Sequence, residues 1–576
     1  MGRTVAILLV TMVALAPVAG WTRPSGFGSL VAEYDALLQG RKEEGRCLPD
    51  VSPAAAAERR RQMMAFVQRL DTVDARRLTP PDRLTYRFMR WDAEDRLGGM
   101  AFDLDRMPFN SDSGFHVTLT YAANRTRVQD TAEAKSWLAC LEAVPDYYAA
   151  NIANARRGIA TGFVQPRLIV DAVLETARRQ AETPLEEDGL LSPLAALPSP
   201  ISASIPADQV ASWRARARQI LAEKVRPAQR AFVAFLEQEY RPAAPESLAA
   251  RDLPDGEAYY TWAVRHHTTT RLTPDAVHEI GLREVARIRA EMEALIRRTG
   301  FTGDFKDFQA FLRGDPRFYV TTRQGLLEKA SEIAKRIDDR LPAHFGRLPR
   351  LTYGVREVPR DIEDTYTTGR YFPGDAARGI AGGFMVNTSK LDQRPLYELP
   401  ALALHEAVPG HHLQTSLAAE LDDLPAFRRR AYINAYGEGW GLYAEQLGKE
   451  MGIYRDDYER FGGLSFDMWR ACRLVADTGI HWKHWTLDQA RACFTDNTAL
   501  APHNIETELR RYVGWPGQAL AYKIGELTLL DLRRRAEDTL GDRFDERAFH
   551  DAVLLSGSLP LDLLTEQVDA WISSRR

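Results

Sequence analysis

The segment Leu402-Ala403-Leu404-His405-Glu406-Ala407-Val408-Pro409-Gly410-His411-His412-Leu413-Gln414 decides how this chain is read. Three of the twelve histidines fall in the eight residues from His405 to His412, and a glutamate follows the first. In a helical H-E-x-x-H, two imidazoles one turn apart bind zinc while the glutamate holds the attacking water. Here Pro409 takes the fifth position, and the next histidines stand six and seven residues after His405. On a regular helix six residues end about 120° off the starting face, and seven lie nearly in phase but about 10 Å along the axis. Neither can share a metal with His405 unless the helix is distorted. Pro409 supplies a reason for distortion, because it lacks an N–H and clashes with the preceding turn, and Gly410 tolerates the resulting dihedrals. The expectation is a two-residue insertion wound into a π-like bulge that returns His411 to the metal. His412 then contacts substrate or supports a ligand, and the reverse assignment of the two histidines stays open.

A zinc hydrolase usually takes three protein ligands and leaves a fourth position open. The third is expected on a second helix. Asn434 to Glu450 offers Glu438, set among Gly437, Gly439 and Gly441, where backbones can approach closely, and Glu445 two turns further on the same face. Glu438 is the expected ligand. Glu445 is placed to orient a ligand histidine or to pair with a base. The alternative for either is a solvated surface charge.

Two further segments carry chemistry. Arg473, Asp477 and His481 recur every four residues in CRLVADTGIHWKHW, so a continuing helix presents all three on one side. Such a row suits substrate binding or transition-state stabilisation, and equally a buried ion network. In WPGQALAYK, Tyr522 is a candidate donor to the oxyanion of a hydrolysed carbonyl, with Lys523 behind it; a core tyrosine is the alternative. The run Arg428 to Arg430 reads as a solvated face.

Around these segments the pattern is helical. Arg59 to Leu70, Pro81 to Leu97, Ala132 to Ile159 and Ala207 to Glu239 carry apolar residues at three- and four-residue spacing. Thr273-Pro274 is a helix start and Gly300 a stop. Thr183 to Pro206 reads as a loop. Leu351 to Val358 and Gly379 to Ser389 read as strands joined by a loop at Asp361 to Pro373, so a small sheet precedes the histidine segment. A rough division falls between residues 21–254 and 255–576.

The 576 residues are 45% hydrophobic and 27% charged, which excludes a disordered or low-complexity chain. Lys+Arg of 75 against Asp+Glu of 79 leaves a net charge of -4, with no field that points to nucleic acid or an anionic membrane. Met1 to Gly20 has one positive charge, an apolar run and small residues before Trp21, the pattern of a signal peptide that would direct the chain to the periplasm or outside the cell. No later stretch is long and apolar enough to span a membrane. Of the four cysteines, Cys472 and Cys493 form the most economical pair, with buried free thiols as the alternative. Asn124 and Asn387 stand in N-x-S/T sequons.

HEAVPGHHLQ, GEGWGLYAEQLG, DTGIHWKHWT and PGQALAYKIGEL, in this order, resemble a large family of exported bacterial proteins of unknown function. That family looks like a branch of the gluzincin metallopeptidases, similar to the neurolysin and thermostable-carboxypeptidase groups. The resemblance implies a mostly helical fold with a deep channel and a small sheet lining the cleft. It implies zinc held by His405, His411 and Glu438, one ion per chain, with Glu406 as general base. It supports His411 over His412, because a glycine precedes the second zinc histidine in those peptidases. It also implies that the strand Gly382 to Ser389 is the edge that pairs with an extended peptide. The expected activity is a carboxypeptidase- or oligopeptidase-like hydrolysis of short peptides, with Tyr522 or His481 stabilising the oxyanion. Two other classes remain open at this level: a periplasmic peptide-binding protein without turnover, and a zinc hydrolase of a non-peptide amide.

Overall fold

Caps and prolines set most helix boundaries. Thr273 accepts from the Ala276 N–H and opens the helix Pro274–Arg298, and Gly300 beyond its end takes a φ of +74°. The computed structural model describes residues 26–40, 47–111, 113–126, 128–195, 197, 205–360, 363 and 367–576. The signal-peptide reading of Met1 to Gly20 and the Asn124 side chain lie outside the described residues. Among the described residues the fold is mostly α, with one three-stranded sheet. No helix among the described residues is long and apolar enough to cross a membrane.

Several expected boundaries shift. Ala132 to Ile159 divides into Thr131–Glu142 and Val144–Thr161, with Pro145 in the first turn of the second helix. Ala207 to Glu239 is one helical rod with wide π turns at Leu221–Val225 and Leu236–Tyr240. Each ends two residues before a proline, Pro227 or Pro242, whose missing N–H breaks the regular ladder. The stretch read as a loop from Thr183 contains the short helical turns Leu185–Glu187, Gly189–Leu191 and Ser192–Ala195.

The sheet consists of β1 (Tyr353–Glu357), β2 (Gly369–Phe372) and β3 (Gly382–Val386), in the order β1-β3-β2. β3 runs parallel to β1 and antiparallel to β2. This corrects two expectations. The segment read as a connecting loop holds a strand, β2. And β3, expected at the edge, is the central strand, so the edges are β1 and β2. Both errors have one cause: pairing is a contact between strands, and strand propensity in isolation does not say which neighbour arrives.

The expected disulfide Cys472–Cys493 forms, and a second joins Cys47 to Cys140, with Cα atoms 5.7 and 5.3 Å apart. Cys472–Cys493 joins the helix Asp457–Lys483 to Leu487–Asn497. Asn387 is buried, its amide donating to the carbonyls of Glu363 (2.8 Å) and Thr367 (3.1 Å), so this sequon is internal. Arg428, read as solvated, is also buried: it donates to the Ser556 carbonyl and lies 4.6 Å over the Phe88 ring.

The helices Asn434–Glu450 and Ala521–Leu540 cross at glycines. A Cβ on Gly525 would stand 1.9 Å from the Ala435 carbonyl oxygen and 2.8 Å from Gly439 Cα. Gly525→Ala is therefore expected to destabilise the protein by about 1–3 kcal/mol or more, the cost of overpacking against rigid backbone. Denaturant unfolding measures this; unchanged stability would mean that the crossing is looser than it looks.

Candidate functional site

The helix Leu399–Glu406 is apolar on nearly every side and buried from Leu399 to His405, as such a sequence requires, with Glu406 half-buried at its end. It does not continue through a π-like bulge. The chain leaves the helix at Ala407, passes a cis Val408–Pro409 peptide, and starts a new helix, His411–Ala419. Pro409 interrupts the hydrogen-bond ladder, and the path breaks where a widened turn was expected. The return is tight: a Cβ on Gly410 would lie 1.9 Å from the His405 carbonyl oxygen. Trp440 Nε1, from the helix Asn434–Glu450, donates to the Pro409 carbonyl (2.8 Å) and fixes the turn. The His405 and His411 rings end 4.7 Å apart, at 88° to each other.

The helix Asn434–Glu450 brings Glu438 to the same point. Its Oε2 lies 3.6 Å from His405 Nε2 and 3.5 Å from His411 Nε2. The three candidate ligand atoms lie within 4.8 Å of one another, a group that could hold a metal ion. Gly441, nearly one turn beyond Glu438, leaves room for the His405 ring, since a Cβ there would come within 2.5 Å of it. On the far side of that ring, His405 Nδ1 stands 2.7 Å from Glu445 Oε1, which Arg470 also holds at 3.0 Å. This fixes Nε2 as the nitrogen that faces Glu438.

The electrostatics demand positive charge at this point. Burial alone disfavours a charged His405, but Glu438 and Glu445 outweigh it and raise its pKa to about 10. Burial would raise Glu438, yet the two imidazoles hold it well below the usual carboxylate range. A shared proton or a bound cation meets the same demand.

The site opens into a cavity of about 950 Å³. One wall comes from the helices Phe115–Arg125 and Arg167–Glu182; the other carries β2, the three candidate ligands and Tyr522. Glu406 lies at the cavity with Oε2 accepting from the Tyr371 N–H of β2 (2.7 Å). Tyr522 also faces it: its hydroxyl accepts from Arg511 at 3.1 Å, and Arg473 lies 4.2 Å over its ring.

Four candidates stand elsewhere. His481 is fully buried, Nδ1 accepting from the Ala250 N–H (3.1 Å) and Nε2 donating to the Tyr512 carbonyl (2.9 Å); burial pushes its pKa down to about 4. Asp477 accepts from the Tyr260 hydroxyl (2.6 Å) and the Gly517 N–H (3.1 Å), and burial pushes it up to about 7. Only Arg473 of this row lines the cavity. Each four-residue step on a helix drifts by about 40°, so a row that begins in the cleft turns into the protein within two steps. Lys523 is enclosed by Asp467, Glu526 (2.6 Å) and Glu284 (3.3 Å), behind Tyr522. His412 faces the sheet, with Nε2 donating to the Leu351 carbonyl (2.9 Å) and Nδ1 at 3.1 Å from the Tyr371 hydroxyl.

Sequence reading missed Tyr432, whose hydroxyl donates to Glu438 Oε1 (2.9 Å). Tyr432 is 47% exposed, and the charge of Glu438 beside its hydroxyl favours the protonated phenol and keeps it a donor. Nothing local marks a tyrosine six residues before a candidate ligand. The missed strand β2 and Arg511 likewise enter the site from distant segments.

A family model described as a bacterial protein of unknown function (DUF885) matches residues 35–568. Among solved structures, a candidate lipoprotein from Colwellia psychrerythraea is 26% identical, with a TM-score of 0.88 over 95% of this chain and 99% of that chain. A candidate lipoprotein of unknown function from Shewanella oneidensis is 19% identical, with a TM-score of 0.70 over 94% of this chain and 99% of that one, a likeness of fold. No curated protein matches the chain. The family match spans nearly the whole length and includes every residue of the cavity, and the chain belongs to the DUF885 family of bacterial proteins.

Proposed function

We propose that this protein is an exported zinc-dependent metallopeptidase that hydrolyses short peptides. The observation that carries this reading is the convergence of His405 Nε2, His411 Nε2 and Glu438 Oε2 beside Glu406, at the wall of a cavity of about 950 Å³. Two ligands about 2.1 Å from a tetrahedral zinc ion stand roughly 3.4 Å apart. The separations of 3.5 and 3.6 Å from Glu438 to the two imidazoles fit that donor set. The motif resemblance to gluzincin peptidases supports the same assignment. Export is supported by the apolar leader Met1 to Gly20 and by the likeness to a candidate lipoprotein.

Zinc, when bound, supplies polarisation of a scissile carbonyl and of a water molecule. The chain supplies the rest. Glu406 takes the proton from the attacking water and returns it to the leaving amine, while the Tyr371 N–H holds its other face. The Tyr522 hydroxyl, backed by Arg511, donates to the oxygen on which charge develops. β2, an edge strand beside Glu406, offers its remaining outward backbone groups to an extended peptide, the role expected of β3 from the resemblance. A cavity of about 950 Å³ between two walls suits short or unfolded chains.

Elemental analysis of the purified, zinc-equilibrated protein is expected to find one zinc per chain, as a single three-ligand site requires. Cleavage of short unstructured peptides is expected to stop with a chelator and return with zinc. A protein that binds no zinc, or hydrolysis that survives both chelation and His405→Ala, would overturn the reading. Glu445→Gln is expected to weaken zinc binding about 10–100-fold, the usual effect of losing the partner that orients a ligand imidazole. Chelator competition reads this; unaltered affinity would remove Glu445 from the site.

A further inference from the structure

One part of the wall opposite the helices Phe115–Arg125 and Arg167–Glu182 is basic. From residue 466 to 522 the cavity is lined by Arg470, Arg473, Arg510 and Arg511, and by one acidic side chain, Glu508. Glu508 serves two guanidiniums at once, with Oε2 accepting from Arg473 at 2.9 Å and Oε1 at 3.5 Å from Arg511. Arg473 is buried, and its Nη1 has no hydrogen-bond partner. Arg511 is partly exposed at the cavity and reaches the Tyr522 hydroxyl at 3.1 Å. Guanidinium groups stay charged in proteins and match a carboxylate with paired donors. In a cleft with low-dielectric walls such a cluster concentrates anions.

We propose that Arg511, backed by Arg473, forms an anion subsite that takes a carboxylate of the substrate about one residue beyond the scissile bond. The inference rests on the metallopeptidase reading above, which sets the Tyr522 hydroxyl at the scissile carbonyl. Arg511 contacts that same hydroxyl, and one extended residue spans roughly 3.3–3.6 Å. A group bound to the guanidinium therefore lies on the neighbouring residue. On the leaving side of the bond that group is either the peptide's terminal carboxylate or an acidic side chain. The subsite selects peptides by negative charge close to the cut.

The test uses zinc-loaded Glu406→Gln protein as a host without turnover, and calorimetry with three probes: a tripeptide free acid, its C-terminal amide, and an amidated tripeptide ending in glutamate. The free acid is expected to bind at least roughly tenfold more tightly than the plain amide, the scale of a charge-assisted hydrogen bond. If the glutamate amide matches the acid, a side-chain carboxylate is accepted; if it matches the plain amide, the terminal carboxylate is the ligand. Arg511→Gln is expected to bring the acid down to the level of the amide. Glu508→Gln, which removes the competing negative charge, is expected to tighten the acid several-fold. Equal binding of all three probes by protein that holds one zinc overturns the subsite alone. Protein that holds no zinc overturns the metallopeptidase reading, and the subsite with it.

Discussion

Glu406→Gln is expected to lower peptide hydrolysis about a thousandfold while leaving one zinc per chain. The substitution changes one property. Glutamine has the shape of glutamate, and its amide oxygen can still accept from the Tyr371 N–H that now bonds Oε2 at 2.7 Å. The strand β2 therefore keeps its place. What is lost is a base that can take and return a proton, and general acid–base catalysis contributes about 10²–10⁴-fold. Glu406 is not among the three grouped ligand residues, so metal content is expected to stay constant. The result separates the peptidase from a binding protein, in which the variant would change neither turnover nor affinity. Full activity in the variant would exclude Glu406 as the base.

The second large effect is expected at Glu438. Glu438→Gln removes the one carboxylate of the ligand group and keeps its volume. Zinc affinity is expected to fall by more than about 100-fold, beyond the usual cost of losing an orienting partner, because a ligand itself is lost. The fold is expected to survive. A glutamine still accepts from Tyr432, whose hydroxyl lies 2.9 Å from Oε1, and Gly439 and Gly525 still set the helix crossing. Elemental analysis after dialysis and a thermal melt together decide the matter. Retained zinc would move the third ligand away from Glu438; lost zinc with a collapsed melting transition would assign the residue a structural role.

Helical class, the helix start at Thr273 and the clustering of chemistry between His405 and Glu445 were legible in the chain itself. Those features depend on residues within a turn or two of each other, and periodicity, caps and prolines report them directly. His405, His411 and Glu438 were chosen from spacing and motif, and the fold brings those three together. The route differed. Proline at position 409 announced a distortion, but whether the helix bulges or breaks depends on what encloses the turn. Here that is the close backbone at Gly410 and the indole of Trp440.

Tertiary structure alone decided which side of each element faces the cavity. His481 and Asp477 share a helix face with Arg473 on paper, yet the drift of that face and the packing of Tyr260, Ala250 and Gly517 place both in the interior. The edge position passed from β3 to β1 and β2 because a strand's rank depends on its partners. Tyr432 and Arg511 entered the site from segments with no local mark of function. Hydrogen bonds and charges act over a few ångströms of space, and residues hundreds of positions apart meet only when the chain is packed. Local sequence could therefore name the groups able to do the chemistry, and the packed fold chose which of them meet.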